Sequence, residues 1–251
     1  MTTLLPFLLF DFGGTLADIH PNHEWLYQRA CREFDVASED ERIKAAQAEG
    51  WDRYETPEGP AHPHISVSAE AFARYKVDVI VERLKVAGIQ GPLPALAARI
   101  LELDTEPDMY RLYDETLRVL RALAAAGHSM GIVSNHEWDL PDLIDGLGLG
   151  SYFAVVVTSA RVGYRKPHPI IYREALRLAG AAPENTVMIG DSMNADIAGA
   201  RRLGMAAIFV DRSGGPLPAE AAPGVPAIGN LNELAGALQR AAHPVEDIQR
   251  V

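Results

Sequence analysis

Cys31 is the only cysteine among 251 residues, so no internal disulfide can form and a reducing compartment fits. A lone helical cysteine is ordinarily a small packed residue rather than a nucleophile. Basic residues are in deficit. With 23 Lys and Arg against 34 Asp and Glu, the net charge is −11 and the pI about 5.2. That balance excludes a general nucleic-acid-binding or acidic-membrane surface. It leaves an anionic substrate open, because a metal ion or a helix terminus reverses the local field. Long apolar runs are missing too: none approaches the roughly 20 residues that cross a bilayer. The first apolar stretch, residues 4–10, has no basic residue before it and ends in Asp11. No signal peptide is therefore expected, and the chain reads as cytoplasmic.

What remains is an ordinary soluble composition, 48% apolar and 23% charged, with length for one large domain or two modest ones. Short apolar runs at residues 4–10, 129–133, 154–157, 186–189, 206–210 and 227–228 read as strands. Helical patterns at 114–126, 169–179, 195–203 and 231–241 alternate with them, and glycines 127, 180 and 204 stop the first three. This alternation predicts an α/β fold, a parallel sheet covered on both faces. Ligands bind such sheets beyond the carboxyl ends of the strands.

Residues 18–110 break the rhythm and read as all-helical, with patterns at 22–34, 39–51, 69–87 and 94–103. Ser68 is placed to cap the third of these and Gly88 to end it. A polar loop at 55–66 carries His62-Pro63-His64. The expected organisation is a core of residues 1–17 and 111–251, with a smaller helical domain of residues 18–110 inserted after the first strand. Its joints fall near 17–21 and 106–110. Residues 213–226 read as a loop, and the tail after His243 as frayed.

Four separated segments put polar groups at strand ends or helix starts. They are Asp11-Phe12-Gly13-Gly14-Thr15, then Ser134-Asn135, then Lys166-Pro167-His168-Pro169, then Gly190-Asp191 through Asp196. Phosphoryl transfer needs an in-line nucleophile and neutralised equatorial oxygens. Mg²⁺ takes a few carboxylates, one or two carbonyls and water. Asp11, the carbonyl of Gly13 and Asp191 suit that set, with Asp196 on the ion or its waters. Ser134, Asn135 and the backbone N–H groups of Gly14 and Thr15 suit phosphate oxygens, and Lys166 balances their charge. Taken singly, each piece has an ordinary reading as a turn, cap or surface residue; four in order, at successive strand ends, point to a site.

In order and spacing these segments resemble the four motifs of the haloacid dehalogenase-like hydrolases, across nearly the whole chain. Asp11 and Thr15 match the first motif, Ser134 the second, Lys166 the third, and Asp191 with Asp196 the fourth. The resemblance implies a Rossmann-like core, a mobile helical cap, Mg²⁺ and an aspartyl intermediate. With it goes action on a small phosphorylated metabolite, with Asp11, Ser134 and Lys166 catalytic. Separately, a monomer or homodimer is expected, since the acidic surface leaves a dimer through the cap open. The family's phosphatases carry a second Asp two residues after the first, as the general acid and base. Here that position is Gly13.

Four explanations of the glycine follow. The leaving group needs no proton, as in acyl or aryl phosphates. Related phosphonatases likewise have a small residue here and use a cap lysine, for which Lys44, Lys76 and Lys85 are candidates. Alternatively, another group replaces the acid, among Asp18, His20, His23, His62, His64 and His136. A third option is cleavage of a carbon–halogen bond, although dehalogenases of the superfamily generally lack the carboxylates kept at 191 and 196. Finally, a weak or inactive relative would bind a phosphorylated ligand or a protein partner.

Overall fold

The computed structural model describes residues 5–48, 55–56, 59–216 and 220–241. In chain order the described strands are β1 (Phe7–Phe10), β2 (Ala17–Ile19), β3 (Glu55–Thr56), β4 (Gly59–Pro60), β5 (Tyr110–Leu112), β6 (Met130–Ser134), β7 (Val155–Thr158), β8 (Thr186–Gly190), β9 (Ala206–Val210), β10 (Glu220–Ala222) and β11 (Val225–Ile228). Seven of them form one sheet in the order β10-β11-β9-β8-β1-β6-β7, parallel except at β10. β1, β6 and β8 are buried at every position, which explains their unbroken apolar runs. The chain is an α/β protein of Rossmann-like type.

The helices are α1 (His23–Glu33), α2 (Asp40–Ala48), α3 (Ala69–Val86), α4 (Leu93–Leu103), α5 (Thr116–Ala125), α6 (Leu140–Gly146), α7 (Ser159–Val162), α8 (Pro169–Ala179), α9 (Gly199–Arg201) and α10 (Leu234–Ala241). Apolar faces of α5, α6 and α10 pack one side of the sheet through Leu120, Leu143 and Leu234. α8 packs the other side through Ile171, Tyr172 and Leu176. Helices α1–α4 enclose an apolar cluster of their own that includes Leu26, Cys31, Ile80, Leu84, Leu96 and Leu103. Asn22 and Ser68 cap α1 and α3 by accepting backbone N–H groups, each worth about 1 kcal/mol. No described helix is long and apolar enough to cross a membrane.

Several elements differ from the sequence reading. Both joints of the helical stretch are strands: β2 pairs antiparallel with β5, Ala17 opposite Leu112 and Ile19 opposite Tyr110. The stretch is not wholly helical either, since β3 pairs with β4 inside the expected loop. Likewise β10 falls within the loop expected at 213–226. These strands have two or three residues, too few to show a period. The helix expected at 195–203 is a π-helix over Met193–Ala198 continued by α9. There the Ser192 carbonyl accepts from both Asp196 and Ile197, and the Tyr172 hydroxyl donates to the Ala195 carbonyl. Residue 4, residues 49–54 and the tail after His243 lie outside the described residues.

Candidate active site

The central strand β1 lies between β6 and β8, with Phe10 in register with Ile132 and with Ile189. The residues that leave the carboxyl ends of these strands therefore meet. Asp11 follows β1, Ser134 ends β6 and Asp191 follows β8. Asp11 N–H donates to the Ile189 carbonyl at 2.9 Å. Three donors converge on one carboxylate oxygen of Asp11: the Phe12 N–H at 2.7 Å, the Ser134 hydroxyl at 2.8 Å and the Lys166 ammonium at 2.8 Å. No described residue donates to its other oxygen, Oδ2. Gly14 is required where it stands. Its φ is +70°, and a Cβ there would fall on the Asp191 carboxylate.

Lys166 is buried and bridges Asp11 and Asp196, 2.6 Å from the latter. Asp196 is fully buried, and its second oxygen accepts the Ser192 N–H at 2.9 Å. The π turn produces this placement by carrying Asp196 back under the end of β8. A Cβ on Gly190 would occupy the same space. Asn135 faces the Lys166 backbone, donating to its carbonyl at 3.0 Å and accepting its N–H at 2.7 Å. Thr15 Oγ1 stands 3.5 Å from Asp191, too far for a strong bond.

A cavity of about 600 Å³ opens over Asp11 and Asp191 and reaches the helical stretch, where Tyr27, Lys76 and Arg83 line it. Of the acid candidates read from the sequence, Asp18, His23, His62 and His136 line it, whereas exposed His20 and His64 do not. His136 has no free nitrogen. Its Nδ1 accepts the Glu137 N–H at 2.8 Å, which puts the proton on Nε2, 2.8 Å from the Tyr110 hydroxyl. That hydroxyl in turn donates to the Asp104 carbonyl. Burial lowers the His136 pKa, so the ring is neutral.

Comparison with known proteins decides the family. The family model for haloacid dehalogenase-like hydrolases matches residues 7–204. The chain belongs to the haloacid dehalogenase-like hydrolases. It is 33% identical to a phosphoserine phosphatase of Thermus thermophilus over 73% of this chain and 71% of that one. It is 35% identical to a glyceraldehyde 3-phosphate phosphatase of Methanothermobacter thermautotrophicus over 50% of this chain and 56% of that one. In structure it resembles a putative beta-phosphoglucomutase of Thermotoga maritima, with TM-score 0.70, 18% identity, and 94% and 99% of the two chains covered. That last likeness speaks for the haloacid dehalogenase-like fold alone.

The charges of this haloacid dehalogenase-like site fit a hard cation. Asp11, Asp191 and Asp196 each offer an oxygen within 4.8 Å of the others. Burial, then the charge of Asp11, pushes the Asp191 carboxyl up to about 6. A cation relieves that repulsion. Burial also raises Asp196, against the pull of Lys166. Lys166 is held charged by Asp11 and Asp196 despite its burial. With both Asp196 oxygens engaged, the oxygens open to an ion are those of Asp11 and Asp191, beside the Gly13 backbone.

Sequence reasoning missed a clamp behind the first motif. Arg212, just past β9, donates to the carbonyls of Gly14 at 3.1 Å and Thr15 at 2.6 Å, and pairs with buried Glu115 at 2.9 Å. Its guanidinium lies 3.5 Å from the centre of the Tyr113 ring. The available signal was position, a cation immediately after a strand's carboxyl end. It missed also the ion pair of Lys76 on α3 with Glu137 beyond β6, 2.6 Å apart.

Proposed function

We propose that the chain is a Mg²⁺-dependent phosphatase that acts on a small phosphorylated metabolite through an aspartyl-phosphate on Asp11. The observation that carries this is the Asp11 carboxylate, with one oxygen held by three donors and the other open beside Asp191. The phosphatase names of the two sequence relatives support it. Asp11, Asp191 and the Gly13 carbonyl would hold Mg²⁺, which when bound supplies charge neutralisation to the phosphoryl oxygens. Asp11 Oδ2 attacks phosphorus, and the bond to the leaving oxygen breaks with its electron pair on that oxygen. Lys166 and Ser134 hold the attacking carboxylate in position, and Asp196 keeps Lys166 in place. Water then attacks the aspartyl phosphate, releasing phosphate and restoring the carboxylate. With Gly13 in place of an acid, leaving groups that depart as stable anions react fastest. The helices of residues 18–110 act as a cap that excludes water until the intermediate forms, and the enzyme works in the cytoplasm as a monomer or homodimer.

A second reading has one observation in its favour. Lys76, unlike exposed Lys44 and Lys85, lines the cavity, where a phosphonatase would need an imine-forming amine. Its ammonium is engaged by Glu137, so that pair has to break before the amine attacks a carbonyl. The test is a screen of acetyl phosphate, p-nitrophenyl phosphate and alkyl phosphates with and without Mg²⁺. Metal-dependent turnover that Asp11→Asn abolishes is expected. Substrate-dependent inactivation by borohydride that Lys76→Arg prevents would support the second reading instead. No turnover of any phosphoester would sink the first.

A further inference from the structure

Every carbonyl from Phe12 to Ala17 except that of Gly13 accepts a hydrogen bond from a described residue. Phe12 takes the N–H groups of Thr15, Leu16 and Ala17, and Ala17 takes that of Gly14. Leu16 takes the Tyr113 N–H and the Thr116 hydroxyl. Gly14 and Thr15 take the Arg212 guanidinium. Because the peptide unit is planar and trans, the bond from the Gly14 N–H to Ala17 turns the Gly13 carbonyl the opposite way. Gly13 lines the cavity with Asp11 and Asp191. The same loop presses on Asp191: a Cβ at Gly14 would lie 2.3 Å from its carboxylate. A shift of Gly14 or Thr15 would therefore move the Gly13 carbonyl and its spacing from Asp191 together.

Two adjacent glycines are the least self-constrained backbone a metal-binding loop can have. The constraint comes from Arg212, which is itself fixed. Its remaining contact is the ion pair with Glu115 at 2.9 Å, and the same Glu115 oxygen accepts the Leu231 N–H at 3.2 Å. Burial alone would raise the Glu115 carboxyl, but its own N–H, Arg212 and the Leu231 N–H hold it below its ordinary range, so it is ionised. The Tyr113 ring covers one face of the guanidinium at 3.5 Å. We propose that Arg212 is a positioning residue for the cation: by holding the Gly14 and Thr15 carbonyls it keeps the Gly13 carbonyl available to an ion at Asp11 and Asp191. A planar fork meets three acceptors at once, which an ammonium cannot do. This assignment rests on the metal-dependent reading of the site.

The test is binding of Mn²⁺, followed by loss of its free electron paramagnetic resonance signal and displaced by Mg²⁺, so no turnover is needed. Both ions take hard oxygen ligands. Arg212→Met should weaken both by about 10–100-fold, the usual cost of losing a group that orients a metal ligand. The sign is diagnostic. The substitution removes a positive charge and leaves the Glu115 carboxylate uncompensated, so the field alone would tighten a cation. Arg212→Lys keeps the charge and should weaken binding several-fold; it is the variant to read if Arg212→Met does not fold. Leu123→Ala, in the buried core on the last turns of α5, also lowers stability toward urea but should leave both affinities unchanged. Unchanged or tighter binding in the folded Arg212 variants overturns the proposal, as does an equal loss in Leu123→Ala. Either of these outcomes leaves the metal reading standing. An unsubstituted protein that binds neither ion overturns both.

Discussion

Gly13→Asp should raise turnover of alkyl phosphates by about 10²–10⁴-fold, the usual contribution of a positioned general acid, or roughly 3–5 kcal/mol of barrier. The backbone permits the change. A Cβ at Gly13 meets no other atom within 4 Å, and its φ lies outside the left-handed range, unlike that of Gly14. The new side chain enters the cavity that Gly13 already lines. It joins three carboxylates whose oxygens lie within 4.8 Å of one another. Like charges about 8 Å apart repel by roughly 2 kcal/mol at an effective dielectric of 20. Loss of glycine's freedom in the unfolded chain returns about 0.4–1 kcal/mol, so the variant should fold. The assay is kcat/KM across acetyl, aryl and alkyl phosphates for both proteins. The unsubstituted protein should favour good leaving groups steeply, and the variant should flatten that dependence by gaining on alkyl esters. A flat dependence before substitution, with no gain after it, would refute the reasoning. A resident group would then already deliver the proton, and Asp18 and His23, which line the cavity, would be the next to replace.

Arg212→Met removes the donors to the Gly14 and Thr15 carbonyls and strands buried Glu115. The expected loss is about 3–5 kcal/mol of unfolding free energy, read by urea titration, with only partial rescue by Arg212→Lys because an ammonium cannot span three acceptors. Asp196→Asn should slow turnover while KM changes little, since Asp196 touches Lys166 and Ser192 rather than the cavity. A rise confined to KM would contradict that placement. His136 has its pKa lowered by burial, so below about pH 6.5 the unfolded chain takes up a proton that the folded one refuses. Stability should therefore fall as the pH is lowered there, by up to about 1.4 kcal/mol per unit. Unfolding titrations of His136→Asn should show a shallower fall, and an unchanged slope would mean that the ring is already charged in the folded protein.

Much of the fold was legible because its signals are local. Pro169–Ala179 begins at a proline and ends at Gly180 with φ +62°, both visible in the chain. The fully buried strands announced themselves as apolar runs. What stayed hidden depends on partners distant in sequence. Strands of three residues such as β2 and β5 have no period to read and exist through each other. The π turn is set by Tyr172 and Ser192 rather than by its own residue pattern. Asp11, Ser134, Lys166 and Asp191 follow or end apolar runs or precede a helix, which is visible in the chain, and the sheet order brings them together. The finer tasks were beyond reach. That Asn135 turns to the Lys166 backbone and that Asp196 spends both oxygens on Lys166 and Ser192 are matters of side-chain direction. Composition gives no hint of either.

The account stands on Asp11 as the nucleophile. Rapid acid quench of the protein turning over acetyl phosphate with Mg²⁺, followed by peptide mass analysis, measures this directly. One phosphoryl group should be found on the peptide that contains Asp11, absent without Mg²⁺ and absent in Asp11→Asn. Steady turnover with no phosphorylated peptide, or with turnover retained in Asp11→Asn, would contradict it.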